Sequence, residues 1–255
     1  MLLRTARLTQ QKVQLSAYVY SGGGVLLAIL YSGSYWSIED TGKLRVFCDG
    51  AMPDYDWGAS PWALRYRDSI TEVEIAASVT SIGRYGFQWL LNVTSITIPG
   101  TVTSIGSGAF YQCYELTNVT LNSGVVSLSG EHIFGGCDKL KSITIPDSVT
   151  NINALAFGAS SLEEINVDNN NLHYCSVDGI LFNKAASALL GYPRLKSGTS
   201  YTIPNGVTTI GEHAFNETTG LTTITIPNGV TSIGDHAFYI FGDIDLQITI
   251  RSVIV

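Results

Sequence analysis

Charge is what this chain has least of. Only 14% of its 255 residues are charged, and its 14 basic residues are outnumbered by 21 acidic ones, for a net charge of −7. No basic run occurs, which argues against nucleic acid as a partner, because a phosphate backbone demands clustered Lys and Arg. Long apolar runs are missing too. A spanning helix needs roughly 18 consecutive apolar residues, and the best stretch, Val25–Tyr31, is too short. Near the start, Arg4, Arg7 and Lys12 supply the charge of a secretory leader, but Ser21–Gly24 interrupts its apolar part. That points to an irregular start rather than a cleavable signal.

Catalytic signatures are equally scarce. Ser21-Gly-Gly-Gly24 is not followed by the Gly-Lys-Ser/Thr of a phosphate loop, and no Gly-x-Ser-x-Gly elbow is present. Asp168-Asn-Asn-Asn171 lacks the spacing and closing Glu of a calcium loop and reads as a turn. Four cysteines occur without a Cys-x-x-Cys or Cys/His zinc spacing. The residues therefore nominate no catalytic group, no metal and no cofactor.

What the chain does have is a repeated phrase. Phe110, Phe215 and Phe238 each close a copy of Val-x-x-Ile-Gly-x-x-Ala-Phe, and Phe87, Phe134 and Phe157 close variants of it; the six follow one another in steps of 23, 24, 23, 58 and 23 residues. A fixed period in the twenties signals a solenoid, whose single coil cannot bury its own apolar face and must stack on its neighbours. With 45% hydrophobic residues, the chain has the apolar content for such columns. Each copy also carries an alternating segment, such as Val93, Ile96, Ile98 or Leu221, Ile224, Ile226. The alternation predicts a short half-buried strand, and stacking these predicts a parallel sheet along the solenoid. The residue after Val-x-x-Ile is Gly four times and Asn153 once, and Gly130 holds the same slot in the Val125–Leu128 copy, which has one extra residue. Those types tolerate positive φ, so a left-handed turn is expected at Gly106, Gly211 and Gly234.

The rest divides around the repeats. Residues 1–34 carry no repeat and read as an irregular N-terminal segment, its first twenty or so poorly ordered or loosely helical. Residues 35–69 read as an N-terminal β cap, with a hairpin turn at Asp40-Thr-Gly42 and with Trp36, Trp57 and Trp62 covering the first coil. Residues 70–255 form the repeat region. Within it the 58-residue step leaves room for a β-meander at about 168–195, signalled by Asp178-Gly179 between apolar runs. Ile248-Thr-Ile250 falls at the expected step but no polar closing unit follows, so the expectation is either a fragment of a longer protein or an end covered by a partner or by self-association through that last coil.

Two column positions carry reactive side chains. Cys113 and Cys137 stand in a slot filled elsewhere by Leu90, Ser160 and Thr218, which suits buried fillers, with a disulfide between neighbouring coils as the alternative. His213 and His236 belong to adjacent coils, close enough to share a metal, although Tyr85, Gly108 and Leu155 in the same slot favour a tolerant surface position.

The candidate binding surface is the outward ladder. Glu74, Thr97, Thr120, Thr144, Asn166, Thr202 and Thr225 stand between the last two apolar residues of successive strands. β-Branched hydroxyl residues suit any solvated strand; they also offer evenly spaced hydrogen-bonding groups to an extended partner. Trp89, Tyr111 and Tyr114 on adjoining loops, with Tyr239, are the candidate aromatic anchors.

The recurring Val-Thr-Ser-Ile-Gly-x-x-Ala-Phe-x-x-Cys-x-x-Leu-Thr-x-Ile-Thr-Ile-Pro over residues 35–250 resembles the BspA-like class of leucine-rich repeats, found widely in bacterial surface proteins. The resemblance implies a curved, β-rich solenoid, a leucine-rich-repeat-type right-handed superhelix. It also implies surface exposure and a non-enzymatic role in adhesion, with a protein or glycan as ligand. A structural spacer within a larger surface protein is the alternative.

Overall fold

A computed structural model of the chain describes residues 18–21, 25–31, 34–239 and 246–250, and among them there is no helix. The expectation of disorder or loose helix over the first residues falls largely on 1–17, outside the described residues. The rest of the supposedly irregular segment is corrected. Tyr18–Ser21 and Val25–Tyr31 are antiparallel strands, and the second pairs with Ser34–Ile38. That strand in turn pairs antiparallel with Lys43–Phe47 across the Asp40-Thr-Gly42 turn, where Gly42 has φ 84°. Lys43–Phe47 then runs parallel to Glu72–Ile75, so the hairpin is joined to the first coil by a continuous ladder.

From there the chain winds in coils of two short strands and a turn. The first strands are Glu72–Ile75, Ser95–Ile98, Asn118–Leu121, Ser142–Ile145, Glu164–Val167, Ser200–Thr202, Thr223–Ile226 and Gln247–Ile250. Their alternation is as the sequence predicts: Ile96 and Ile98, Val119 and Leu121, Ile143 and Ile145 are buried while the residues between are exposed. They do not form one sheet. Pairing holds within 95–98/118–121, within 142–145/164–167 and across 200–202/223–226/247–250. The longer run lies on the second strands, where 50–51, 79–82, 104–105, 127–128 and 151–152 form one parallel five-stranded sheet.

The turn after each second strand forms a further ladder. The amides of Tyr85, Phe87 and Trp89 donate to the carbonyls of Ser107, Ala109 and Tyr111 one coil on, and Gly108, Phe110 and Gln112 donate likewise to Glu131, Ile133 and Gly135. Presenting every second amide to the next coil takes a left-handed residue on either side of the Phe. Tyr85 and Trp89 (φ 53° and 63°) supply these, as do Gly108 and Gln112 (59° and 57°) and His213 and Glu217 (54° and 56°). The left-handed positions therefore flank the Phe and do not coincide with Gly106, Gly211 or Gly234, which corrects the sequence expectation. Those glycines serve close approach. A Cβ on Gly106 would stand 2.8 Å from the Arg84 nitrogen, and one on Gly234 would collide with the Glu212 nitrogen.

The core is a column of rings. Trp62 stacks on Phe87, Phe87 on Phe110 and Phe110 on Phe134, with the phenylalanine centroids 5.5 Å apart. Trp36 packs edge-on to Trp62 at 6.0 Å. Both tryptophans are buried as a cap requires, but Trp57 is 52% exposed and does not cover the coil. Beside the column, Cys113 and Cys137 are buried free thiols whose sulfurs face the carbonyls of Phe87 and Phe110 at 3.2 and 3.1 Å.

The meander interrupts the column. Tyr174–Val177 and Ile180–Asn183 form a hairpin around Asp178-Gly179, both left-handed, and Ala188–Gly191 adds a third antiparallel strand. Ala188–Gly191 also runs parallel to Thr209–Ile210 and thereby starts the next set of second strands. The middle strand is buried on both faces: Leu181 belongs to the first core, whereas Ile180 and Phe182 belong to a second one built from Tyr192, Phe215, Leu221 and Ile224. Ahead of it, Asn171, fully buried, ties the meander to the coil below. Its Nδ2 donates to the carbonyls of Pro146 and Val149 at 2.8 and 3.0 Å, and its Oδ1 accepts from the amides of His173 and Tyr174.

Candidate functional site

The outward ladder is in register where its strands pair. Thr97 lies opposite Thr120, Thr144 opposite Asn166, and Thr202 opposite Thr225. Neighbours in such a pair are about 4.8 Å apart. Its ends differ from its middle. Glu74 is engaged by Lys43 at 3.0 Å and Arg45 at 3.3 Å, and Asn166 donates to Glu164 at 3.3 Å. Thr97, Thr120 and Thr144 are exposed. The middle of the ladder is thus an uncharged strip of hydroxyls and methyls bounded by an ion-paired edge.

The aromatic residues nominated from sequence do not gather on that strip. Trp89 and Tyr111 lie on the turns that follow the second strands, and they converge on Trp57, which the sequence had assigned to the cap. Trp57 meets Tyr85, Trp89 and Tyr111 at centroid distances of 5.3, 5.4 and 5.1 Å and interplanar angles of 82°, 88° and 62°. Edge-to-face contacts of this kind place the positive ring edge on a negative ring face and are worth about 0.5–1.5 kcal/mol each beyond buried area. Tyr114, 39% exposed, stands outside this group, and Tyr239 is in contact with His236 instead.

The cluster is held from below. Gln88, fully buried, accepts the Gly58 amide on its Oε1 at 2.9 Å and so pins the loop that carries Trp57. Gly58 has φ 70°, and a Cβ there would stand 2.9 Å from the Trp89 ring. The Trp89 indole N–H donates to Gln112 Oε1 at 2.6 Å. Around the rings, Arg67 lies over Trp89 at 5.6 Å and Arg84 over Tyr85 at 5.9 Å, in the geometry of cation–π contacts. The Arg84 guanidinium also reaches Asp56 at 3.6 Å, and its backbone amide donates to Asp54 at 2.6 Å. A half-exposed indole bordered by a carboxylate and a guanidinium, on a pre-set loop, has the make-up of a recognition anchor. The sequence marked 50–62 as aromatic-rich, but nothing local told Trp57 from its buried neighbours.

His213 and His236 do stack, with centroids 5.1 Å apart and planes 13° apart. Among the described residues no group of three or more His, Cys, Asp and Glu side chains is placed to hold a metal. Among the same residues no helix is long and apolar enough to cross a membrane.

Comparison with known proteins gives the arrangement a family. A family model described as a BspA type leucine rich repeat region matches in 6 copies over residues 62–177 and 194–253. A leucine-rich repeat protein from Eubacterium ventriosum, known from its crystal structure, is 34% identical over 85% of this chain, with a TM-score of 0.68. The match spans 64% of that protein's length. The pneumococcal vaccine antigen PcpA shares the fold over 94% of this chain and 71% of its own, at 18% identity and a TM-score of 0.61. No curated protein matches significantly. Six in-phase copies of the repeat, with their ring column and their inter-coil turn ladder, place this chain in the BspA-type leucine-rich repeat family.

Proposed function

We propose that the chain is a non-enzymatic surface-binding module that recognises a protein or glycan partner outside the cell, with Trp57 and its ring cluster as the anchor and the Thr97–Thr120–Thr144 strip as a secondary contact. The observation that carries this is the exposure of Trp57 on a loop pinned by Gln88. An indole left half open forgoes about 1–2 kcal/mol of burial, which a partner covering its exposed face would recover. Membership of a repeat family and likeness in fold to a pneumococcal antigen support a surface role.

The test is binding of the purified chain to a glycan array and to a panel of extracellular-matrix proteins, alongside Trp57→Ala and Thr120→Lys. Retention of one ligand class by the native chain, weakened at least tenfold in Trp57→Ala, supports the reading; hot-spot residues lose about 2 kcal/mol or more on truncation. Silence across both panels leaves the spacer role, in which the coils hold some other domain away from the envelope.

A further inference from the structure

The ring column stops at the meander and starts again beyond it. Trp62, Phe87, Phe110 and Phe134 form one stack, and Tyr192, Phe215 and Phe238 form another, with Tyr192 5.1 Å from Phe215. Phe157 is the repeat phenylalanine between them, and among the described residues no ring stacks on it. Between the two stacks lies a cleft of about 220 Å³ whose walls include Phe157, Ile165, Leu181, Leu190 and Tyr192. It opens between Phe157 and Tyr192, whose amide donates to the Ala214 carbonyl as the Phe87 amide does to that of Ala109, so the two rings are successive in the column without being stacked.

Two of the residues lining this cleft, Ser160 and His213, carry a buried polar atom with no hydrogen-bond partner. Ser160 is 1% exposed, yet its Oγ makes no hydrogen bond. Its counterparts Cys113, Cys137 and Thr218 in the same column position do have one: Cys113 faces the Phe87 carbonyl, Cys137 the Phe110 carbonyl, and Thr218 donates to the Phe215 carbonyl at 3.2 Å. His213 Nδ1 is likewise buried and unpartnered. Glu212 Oε1 stands 3.7 Å from the other ring nitrogen, Nε2, and a neutral imidazole with its proton on Nε2 offers Nδ1 as an acceptor. A buried hydroxyl without a partner destabilises the folded chain until something bonds it, and a largely apolar cleft with a few converging polar groups is the usual form of a small-molecule site.

We infer that this cleft binds a small, uncharged planar aromatic molecule bearing a hydroxyl or N–H at its edge, of the phenol or indole class. Its ring inserts between Phe157 and Tyr192. Its polar edge bonds to Ser160 Oγ and donates to His213 Nδ1. The size agrees: an apolar cavity of about 150 Å³ accepts benzene, so the larger cleft has room for a substituted or fused ring. This site is separate from the Trp57 cluster, and its fate does not depend on the surface role proposed above.

The experiment titrates p-cresol, indole, cyclohexanol and N-acetyl-tryptophanamide into the full chain, followed by saturation-transfer NMR and melting temperature. p-Cresol and indole are expected to raise the melting temperature by preferential binding to the folded state and to show transfer from the Leu181 and Leu190 methyls. Ser160→Ala should weaken p-cresol binding about two- to tenfold while leaving the melting temperature of the free chain equal or higher, as expected when an unsatisfied buried hydroxyl is removed. Leu190→Trp should fill the cleft and abolish the response; if that variant does not fold, Ser160→Val takes its place with the same expected loss. Cyclohexanol binding as well as p-cresol, binding confined to the tryptophan amide, or binding unchanged in Ser160→Ala would each overturn the inference.

Discussion

Gly106 packs its Cα against the backbone of Arg84 one coil earlier, so closely that a Cβ would stand 2.8 Å from the Arg84 nitrogen. Backbone cannot yield as a side chain can, so Gly106→Ala is expected to spread two coils and cost about 1–3 kcal/mol, the usual penalty of overpacking. Gly206 is the control. A methyl group there would meet nothing within 4 Å and its φ is ordinary for any residue, so Gly206→Ala should be neutral or stabilise by about 0.4–1 kcal/mol through the unfolded chain. Urea midpoints of the two variants separate close approach from conformational freedom.

Phe110 is held between two parallel rings, Phe87 and Phe134. Phe110→Ala should cost about 3–5 kcal/mol, because a rigid column cannot collapse into the gap. Phe157→Ala should cost less, about 1–2 kcal/mol of lost burial, since that ring is only half-buried and, among the described residues, has no stacking neighbour. Thermal unfolding of both variants checks the order.

Asn171 carries four hydrogen bonds in a fully buried site. Asn171→Ala strands two carbonyls and two amides at the foot of the meander, at about 1–3 kcal/mol per buried group left unpaired, reduced where water enters. Hydrogen exchange should show the amides of His173 and Tyr174 losing protection first, while those of Ile96 and Ile98 stay unchanged.

Burial pushes the phenols of Tyr174, Tyr192 and Tyr201 upward, Tyr201 most, with Tyr192 and Asp178 adding to its shift. The Cys113 thiol beside it and then burial do the same for Cys137. A raised value means that the folded chain holds its proton more tightly than the unfolded one. The stability these groups give is therefore complete below their unfolded values, about 8.5 for Cys and 10 for Tyr, and is lost as pH climbs above them. The urea midpoint should begin to fall at about pH 8.5, where Cys titrates in the unfolded chain, and fall more steeply above about pH 10, where the tyrosines join; Tyr201→Phe should make that steeper part of the fall shallower.

Much of the solenoid was legible because its rules are local. Ile96 and Ile98 face inward since a strand alternates, and Asp178-Gly179 turns because both residues accept left-handed backbone. The glycine of Val-x-x-Ile-Gly was misread for a physical reason: close approach and positive φ select the same residue, and only distances between coils separate them. The left-handed positions were hidden in turn, because Tyr85, Trp89 and Glu217 are poor residues for that conformation and adopt it to serve hydrogen bonds 22 residues away. Of the binding candidates, the threonines came from period alone, whereas the Trp57 cluster depends on a loop outside the repeat and on Gln88, whose buried role no pattern marks. Ile180-Leu-Phe182 read as one apolar run; that its neighbours divide between two cores is a property of the assembled fold.

That division has a mechanical meaning. Ile180 and Phe182 grip one packed block and Leu181 the other, so the strand works as a rivet through two plates. A chain pulled from its two ends would meet its weakest seam there, beside the cleft, and would part into two halves that each keep their own stacked rings before either begins to unwind.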